Sequence, residues 1–213
     1  MNKTLPPPKP RRTRREMQDD TRGRLMEAAL ALFDAEGVGA TSIRGICQYA
    51  GFTQGAFYSN FATKEDLLLA LVETHTQRLV REIGDSVART RGLSLDAALR
   101  RLAKRLGEIA QDPAMSLLLV ELQLLARRDG DFAARLAPLN ALYIDELERL
   151  TKQLLEPRGL TGRLPPRALA SAMMALWSGA LVQGATQREA SAQDILRVTF
   201  GALTRPSSET AEQ

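Results

Sequence analysis

Apolar residues recur at three- and four-residue steps along most of the chain, the spacing of one buried helical face. Over residues 21–36, Leu25, Ala28, Ala29, Leu32 and Phe33 share a face, and Gly37 stands at the expected C-terminal cap. The stretch TSIRGICQYAG predicts a short second helix. Thr41 or Ser42 caps it, Ile43, Ile46, Cys47 and Ala50 form its stripe, and Gly51 supplies a left-handed stop. Beyond that stop, Phe52 can plug the angle between helices, Thr53 can cap a third, and Phe57 and Phe61 lie four apart on its buried face. Thr63, followed by Glu65 and Asp66, opens a fourth, which Leu67, Leu68, Leu71, Val72, Leu79, Val80 and Ile83 carry to about residue 90. Residues 95–110, 113–128 and 131–156 read as helices, the last with a bend near Pro138. The runs PPRALASAMMALWSGALVQGATQ and AQDILRVTFGALT add two more, and no sustained alternation suggests strands. The expected fold class is all-α.

The outer face of the third helix changes this picture from architecture to chemistry. It carries Thr53, Gln54, Gly55, Ala56, Tyr58, Ser59 and Asn60, with almost no bulk at its N-terminal end. A slim tip that forms hydrogen bonds is what a helix needs to lie in a major groove with its first turn near base edges. Two short helices joined by a Gly-containing turn, behind a longer supporting helix, make a helix-turn-helix unit. Geometry alone also admits an ordinary helical hairpin in a bundle.

Charge sharpens the reading at one end. Residues 1–24 hold eight Lys or Arg against three acidic residues, a local net of +5, whereas the whole chain is +4. A basic arm on a nearly neutral body suits a polyanion, either nucleic acid or an anionic membrane surface; a solubilising tail is the plain alternative. The rest of the composition sets limits. With 213 residues, 44% hydrophobic and 25% charged, the chain can bury a core, and Cys47, the one cysteine, cannot form an internal disulfide and reads as a small core hydrophobe. The start MNKTLPPPKPRRTRRE lacks an apolar stretch, so the cytoplasm is expected.

Other function classes fit less well. One histidine, His75, and one cysteine leave no nucleophile–base pair, phosphate-cradling loop or metal cluster, so neither an enzyme, a metal nor a cofactor is expected. Asp145 and Glu146 read as a solvated helix face. Residues 168–185 owe their apolar character largely to alanine, are interrupted by Gln183 and flanked by Arg167 and Arg188, and are not expected to enter a membrane. A helical adaptor or membrane-surface protein would explain the arginines but leaves the segment 51–67 unexplained.

GFTQGAFYSNFATKEDL, preceded by TSIRGICQYA and RLMEAALALFDAEG, resembles the DNA-binding domain of TetR-family transcriptional regulators over about residues 20–72. Gly51, Gly55, Tyr58, Phe61, Lys64, Glu65 and Leu67 sit at the family's spacing, whereas Asn60 and Phe57 depart from its usual residues. The resemblance implies a basic disordered arm at 1–19, a three-helix helix-turn-helix DNA-binding domain at 20–66, a helical effector-binding and dimerisation domain at 67–205, and a disordered tail at 206–213. It implies that Thr53, Gln54, Gly55 and Ala56 lie at base edges, that Tyr58 and Lys64 hold phosphates, and that Thr41 and Ser42 grip the backbone through amides and hydroxyls. Arg44, Ser59 and Asn60 complete the expected DNA-binding set. Elementary chemistry agrees: Gln54 can bond adenine in two places, Thr53 can meet a thymine methyl or a phosphate, and Arg11, Arg12, Arg14 and Arg15 can follow the backbone or enter the minor groove.

For the helical domain, the resemblance implies an effector pocket, for which Met115, Leu118, Leu122, Phe132, Tyr143, Met173, Met174 and Trp177 are candidates; for each singly, core or dimer packing is the plainer role. It also implies a homodimer in which the last two long helices of two subunits form a four-helix bundle, a close approach permitted by Ala172, Ala175, Ser178, Gly179, Ala180 and Gly184. The function so implied is a repressor on double-stranded DNA, released from an inverted-repeat operator by a small, largely apolar effector.

Overall fold

The computed structural model describes residues 13–110, 113–183 and 192–207. The chain divides into two compact units, Met1–Leu67 and Leu68–Gln213.

The first unit contains α1 (Arg14–Ala40), α2 (Ile43–Ala50), α3 (Gln54–Tyr58) and the first turn of α4 (Lys64–Ala88). α1 starts at Arg14, not near residue 21, because Thr13 and Glu16 form a reciprocal capping box: the Glu16 amide donates to Thr13 Oγ1 at 3.2 Å and the Thr13 amide to Glu16 Oε2 at 2.7 Å. Arg14, Arg15 and the rest of the expected arm up to residue 19 are therefore helical, while Arg11 and Arg12 lie outside the described residues. At the other end, Gly37 (φ 81°) breaks the helix, and a further turn puts Val38 into the core. Leu25, Ala29, Phe33, Ile46, Cys47, Phe57, Phe61 and Leu67 are buried, so the predicted stripes of the three helices meet. Each large side chain among them contributes roughly 1.5–3 kcal/mol by leaving water. Cys47 belongs to this core, and burial pushes its thiol pKa up.

The second unit holds the rest of α4, then α5 (Leu95–Ala110), α6 (Pro113–Arg128), α7 (Gly130–Leu155), a 3₁₀ turn (Glu156–Arg158), β1 (Leu160–Gly162), α8 (Pro166–Gln183), α9 (Ala192–Ala202) and β2 (Thr204–Pro206). α5 packs on α9, and α7 on α6 and α8. Val87, Ala98, Leu99, Leu102, Leu154, Leu155, Leu169 and Phe200 form the core. α7 is continuous through Pro138.

The strands correct the expectation of a chain without them. β1 and β2 pair antiparallel, Leu160 opposite Pro206 and Gly162 opposite Thr204, and Pro206 is thereby in a strand rather than in a disordered tail. Three residues are too few to show an alternating pattern, and a partner more than forty residues away leaves no local trace. Nearby, Arg158 fastens the start of this region: its guanidinium donates to the carbonyls of Leu93 (3.0 Å), Leu154 (2.5 Å) and Thr90 (2.6 Å). Among the described residues, no helix is long and apolar enough to cross a membrane.

Candidate nucleic-acid interface and helical cavity

The turn between α2 and α3 is built by Gly51, whose φ of 74° and ψ of 32° place it in the left-handed region. The Phe52 amide reaches back to the Cys47 carbonyl at 2.8 Å, closing α2, and Thr53 opens α3 by accepting from the Ala56 amide at 3.2 Å. Phe57, wholly buried, packs against Phe61 with ring centroids 5.6 Å apart. That anchoring turns the opposite side of α3 outward. Thr53, Gln54, Gly55, Tyr58 and Ser59 are exposed, and Ala56 and Asn60 half-buried.

The individual side chains divide more finely than expected. Ser42 is exposed and caps α2 by accepting from the Gly45 amide at 3.0 Å, and Arg44 beside it is exposed. Thr41 is buried, and its hydroxyl donates to the Gly37 carbonyl at 2.8 Å; its expected grip on the DNA backbone through that hydroxyl is corrected, because the end of α1 consumes it. Lys64 is also turned inward. Its ammonium donates to the carbonyls of Val38 (2.8 Å) and Thr41 (3.0 Å), leaving one of three N–H groups for anything outside. Ser59 donates to the Gly55 carbonyl and Asn60 Nδ2 to the Ala56 carbonyl, both at 2.8 Å, while Asn60 Oδ1 is buried with no partner among the described residues.

Two arginines counted with the basic arm prove to be clamps. Arg22 donates to the Asn60 carbonyl at 2.9 Å and lies 4.2 Å over the Phe61 ring. Arg24 donates to the Ala50 carbonyl at 2.9 Å and lies 4.6 Å over Phe52. Together they tie the C-terminal ends of α2 and α3 to α1, satisfying carbonyls that the helices themselves leave open. Sequence reasoning also passed over Tyr49, an exposed aromatic on α2. The signal for it was present: Tyr49 lies off the stripe formed by Ile43, Ile46, Cys47 and Ala50.

Gly55 carries a further message. A Cβ built there would meet only Thr53 Oγ1, at 3.7 Å, an ordinary contact. The fold thus has room for alanine, which would also favour the helix.

Within the second unit, α4, α5, α7, α8 and α9 line a partly open cavity of about 110 Å³. Of the effector-pocket candidates, Tyr143, Met173, Met174 and Trp177 line it. Leu118, Leu122 and Phe132 are not among its lining residues; they are buried in the packing of α6 and α7. The side chain of Met115 lies outside the described residues. Leu, Ile and Val side chains make most of the remaining wall, with Thr151 and Arg197 as its other polar members. Burial pushes the Tyr143 pKa up, so the phenol stays protonated across the ordinary pH range. Among the described residues, no three His, Cys, Asp or Glu side chains are placed to hold a metal ion.

Residues 25–71 match the family of bacterial regulatory proteins, tetR family. The HTH-type transcriptional regulator AcrR of Shigella flexneri is 41% identical over 63 residues, 30% of this chain and 29% of that protein. The HTH-type transcriptional repressor KstR2 of Mycobacterium tuberculosis is 39% identical over 70 residues, 32% of this chain and 35% of that one. The matched stretch thus spans about a third of these relatives' length. Beyond it the likeness is one of fold: the fatty acid degradation regulator FadR of Bacillus halodurans superposes with a TM-score of 0.67 at 16% identity, over 86% of this chain and 94% of its own. The helix-turn-helix geometry and the match across it agree: residues 25–71 are similar to the DNA-binding part of the bacterial regulatory proteins of the tetR family, and over most of its length the chain shares the all-α fold of such solved structures.

Proposed function

We propose that this chain is a DNA-binding transcriptional regulator that, as a homodimer, represses from an inverted-repeat operator and is released by a small, largely apolar effector. The observation that carries the reading is the outer side of α3: Thr53, Gln54 and Tyr58 are exposed around a glycine that the fold does not require. A bare backbone there permits close approach to base edges, with Gln54 reading a base, Thr53 a base or phosphate, and Tyr58 a phosphate. Ser42 and Arg44 contribute backbone contacts. Release by an effector, and the name repressor borne by one relative, extend the reading to the second unit, where the cavity supplies a place for a ligand.

Two copies are required because one α3 covers one half-site, and two-fold symmetry demands an inverted repeat. The exposed Ala175 and Ser178 on α8 and the exposed Val198 on α9 support pairing through those helices. The side chain of Ala180, and Gly184, lie outside the described residues. A protein of this kind works in the cytoplasm.

The test is selection of binding sites from a random duplex library at moderate salt. Enrichment of an inverted repeat, lost on changing Gln54→Ala together with Tyr58→Ala, is the expected result. If folded protein enriches no sequence at any salt, α2 and α3 form only a structural hairpin and the proposal fails.

A further inference from the structure

The cavity of the second unit is specific about what it could hold. At about 110 Å³ it is smaller than the roughly 150 Å³ void that accommodates benzene in an engineered protein core, so a single six-membered ring suffices to fill its inner part, with some yielding of the flexible Met173 and Met174. Charge narrows the choice. Among the described residues, Arg197 is the one cationic side chain in the wall, and it already faces two carboxylates, Asp96 at 3.3 Å and Asp194 at 3.7 Å. A ligand carboxylate would become a third, against a mostly apolar wall where an uncompensated charge is costly.

Hydrogen bonding narrows it again. Tyr143 and Thr151, both on α7, bring hydroxyls to the wall, and neither hydroxyl is hydrogen-bonded among the described residues. They are eight residues apart, about 12 Å along the helix, so a small ligand group can reach only one of them. A helical threonine hydroxyl can turn back to a carbonyl of its own helix, whereas a phenol cannot. Tyr143 also borders the open groove between α4 and α7, lined by Gln77, Arg81, Glu146 and Arg149 among others. It therefore stands at the cavity's outer end, next to polar surroundings, with the apolar wall behind it.

We propose that the cavity binds a neutral ligand of single-ring size with one hydrogen-bonding group, oriented with that group on the Tyr143 hydroxyl and its apolar body inward, and that it rejects carboxylates. This rests on the reading of the second unit as the effector-binding part and names the effector's chemical class.

Phenol, toluene and benzoate are probes of nearly one shape that differ in the property at issue. Trp177, the chain's single tryptophan, lines the cavity and reports occupancy through its emission, with calorimetry on the same protein as a second readout. Phenol should bind roughly 3- to 10-fold more tightly than toluene, the worth of one net hydrogen bond. Benzoate should bind at least tenfold more weakly than phenol. Tyr143→Phe should abolish the preference for phenol over toluene while keeping toluene binding, and Thr151→Val should leave the preference intact. Benzoate equal to or tighter than phenol, a preference surviving Tyr143→Phe, or no binding of any probe to folded protein would each overturn the proposal. The two readings separate cleanly: probe binding that leaves operator affinity unchanged keeps the ligand class and removes the effector role, and failure of all probes leaves the operator selection standing.

Discussion

The α2–α3 hairpin and the cavity of the helical unit solve opposite problems. The hairpin closes its helix ends with capping side chains and turns small polar groups outward, so what it offers is a surface. The cavity gathers apolar side chains from five helices around an unfilled volume and leaves two hydroxyls without partners among the described residues. What one offers depends on residues close in sequence; what the other offers depends on helices brought together from distant parts of the chain. The lesson is that a polar surface built on a turn is written locally, and an internal void is a property of an assembly.

Substitutions can break that contrast. The largest effect is expected from Phe57→Ala, which empties a wholly buried site beneath α3: about 3–5 kcal/mol of stability lost in urea unfolding, against under about 1.5 kcal/mol for Phe57→Leu. A cost for Phe57→Ala no larger than about 1.5 kcal/mol would show that this side chain is not the wedge. Next, Arg158→Met should cost about 2–4 kcal/mol, because three carbonyls lose a charged donor. A loss below about 0.5 kcal/mol would show that water replaces the guanidinium freely.

Smaller effects sharpen the division between clamp and interface. Arg22→Met should lower stability by about 1–2 kcal/mol and leave the salt dependence of DNA binding unchanged, since the guanidinium is held by the Asn60 carbonyl and Phe61. A salt slope reduced by about one would instead make Arg22 a phosphate contact. Gly55→Ala should raise stability by about 0.5–1 kcal/mol yet weaken operator binding, a pairing of signs that a purely structural glycine would not give. The smallest effect concerns acid. Arg78, through a hydrogen bond, and then Arg105 hold the Glu82 pKa below its ordinary value. A depressed folded pKa means stability present above the unfolded pKa and lost as pH falls through the folded one. The site is open to solvent, so only a few tenths of a kcal/mol are expected, and Glu82→Gln should remove that part of the acid sensitivity seen in urea midpoints.

How much was legible follows the same division. The caps at Ser42, Thr53 and Thr63, the stop at Gly51 and the burial of Phe57 and Phe61 all rest on neighbours within a few residues, and periodicity suffices to read them. Arg22, Arg24 and Lys64 read as free cations because nothing local shows which distant carbonyl each will meet. Leu118, Leu122 and Phe132 are buried, but helical spacing cannot say whether an inward face meets another side chain or a void. The basic arm was placed by charge alone, and the capping box at Thr13 and Glu16 converts part of it into helix.

The strand pair has a consequence for the chain's connectivity. The Arg163 amide bonds to the Leu203 carbonyl at 2.8 Å and the Ser207 amide to the Gly159 carbonyl at 2.9 Å, so the β1–β2 contact is buckled at both margins. Gly162 is required there by space: a Cβ would come within 2.9 Å of Leu169 Cδ2 and 3.0 Å of the Leu164 carbonyl oxygen. The segment between the strands, which carries α8 and α9, is therefore a loop fastened at its neck. A protease cut within that loop would leave the two fragments joined by the strand pair as well as by helix packing, whereas trimming the chain before Thr204 would open the neck and leave α9 held by its packing on α5 and α8 alone.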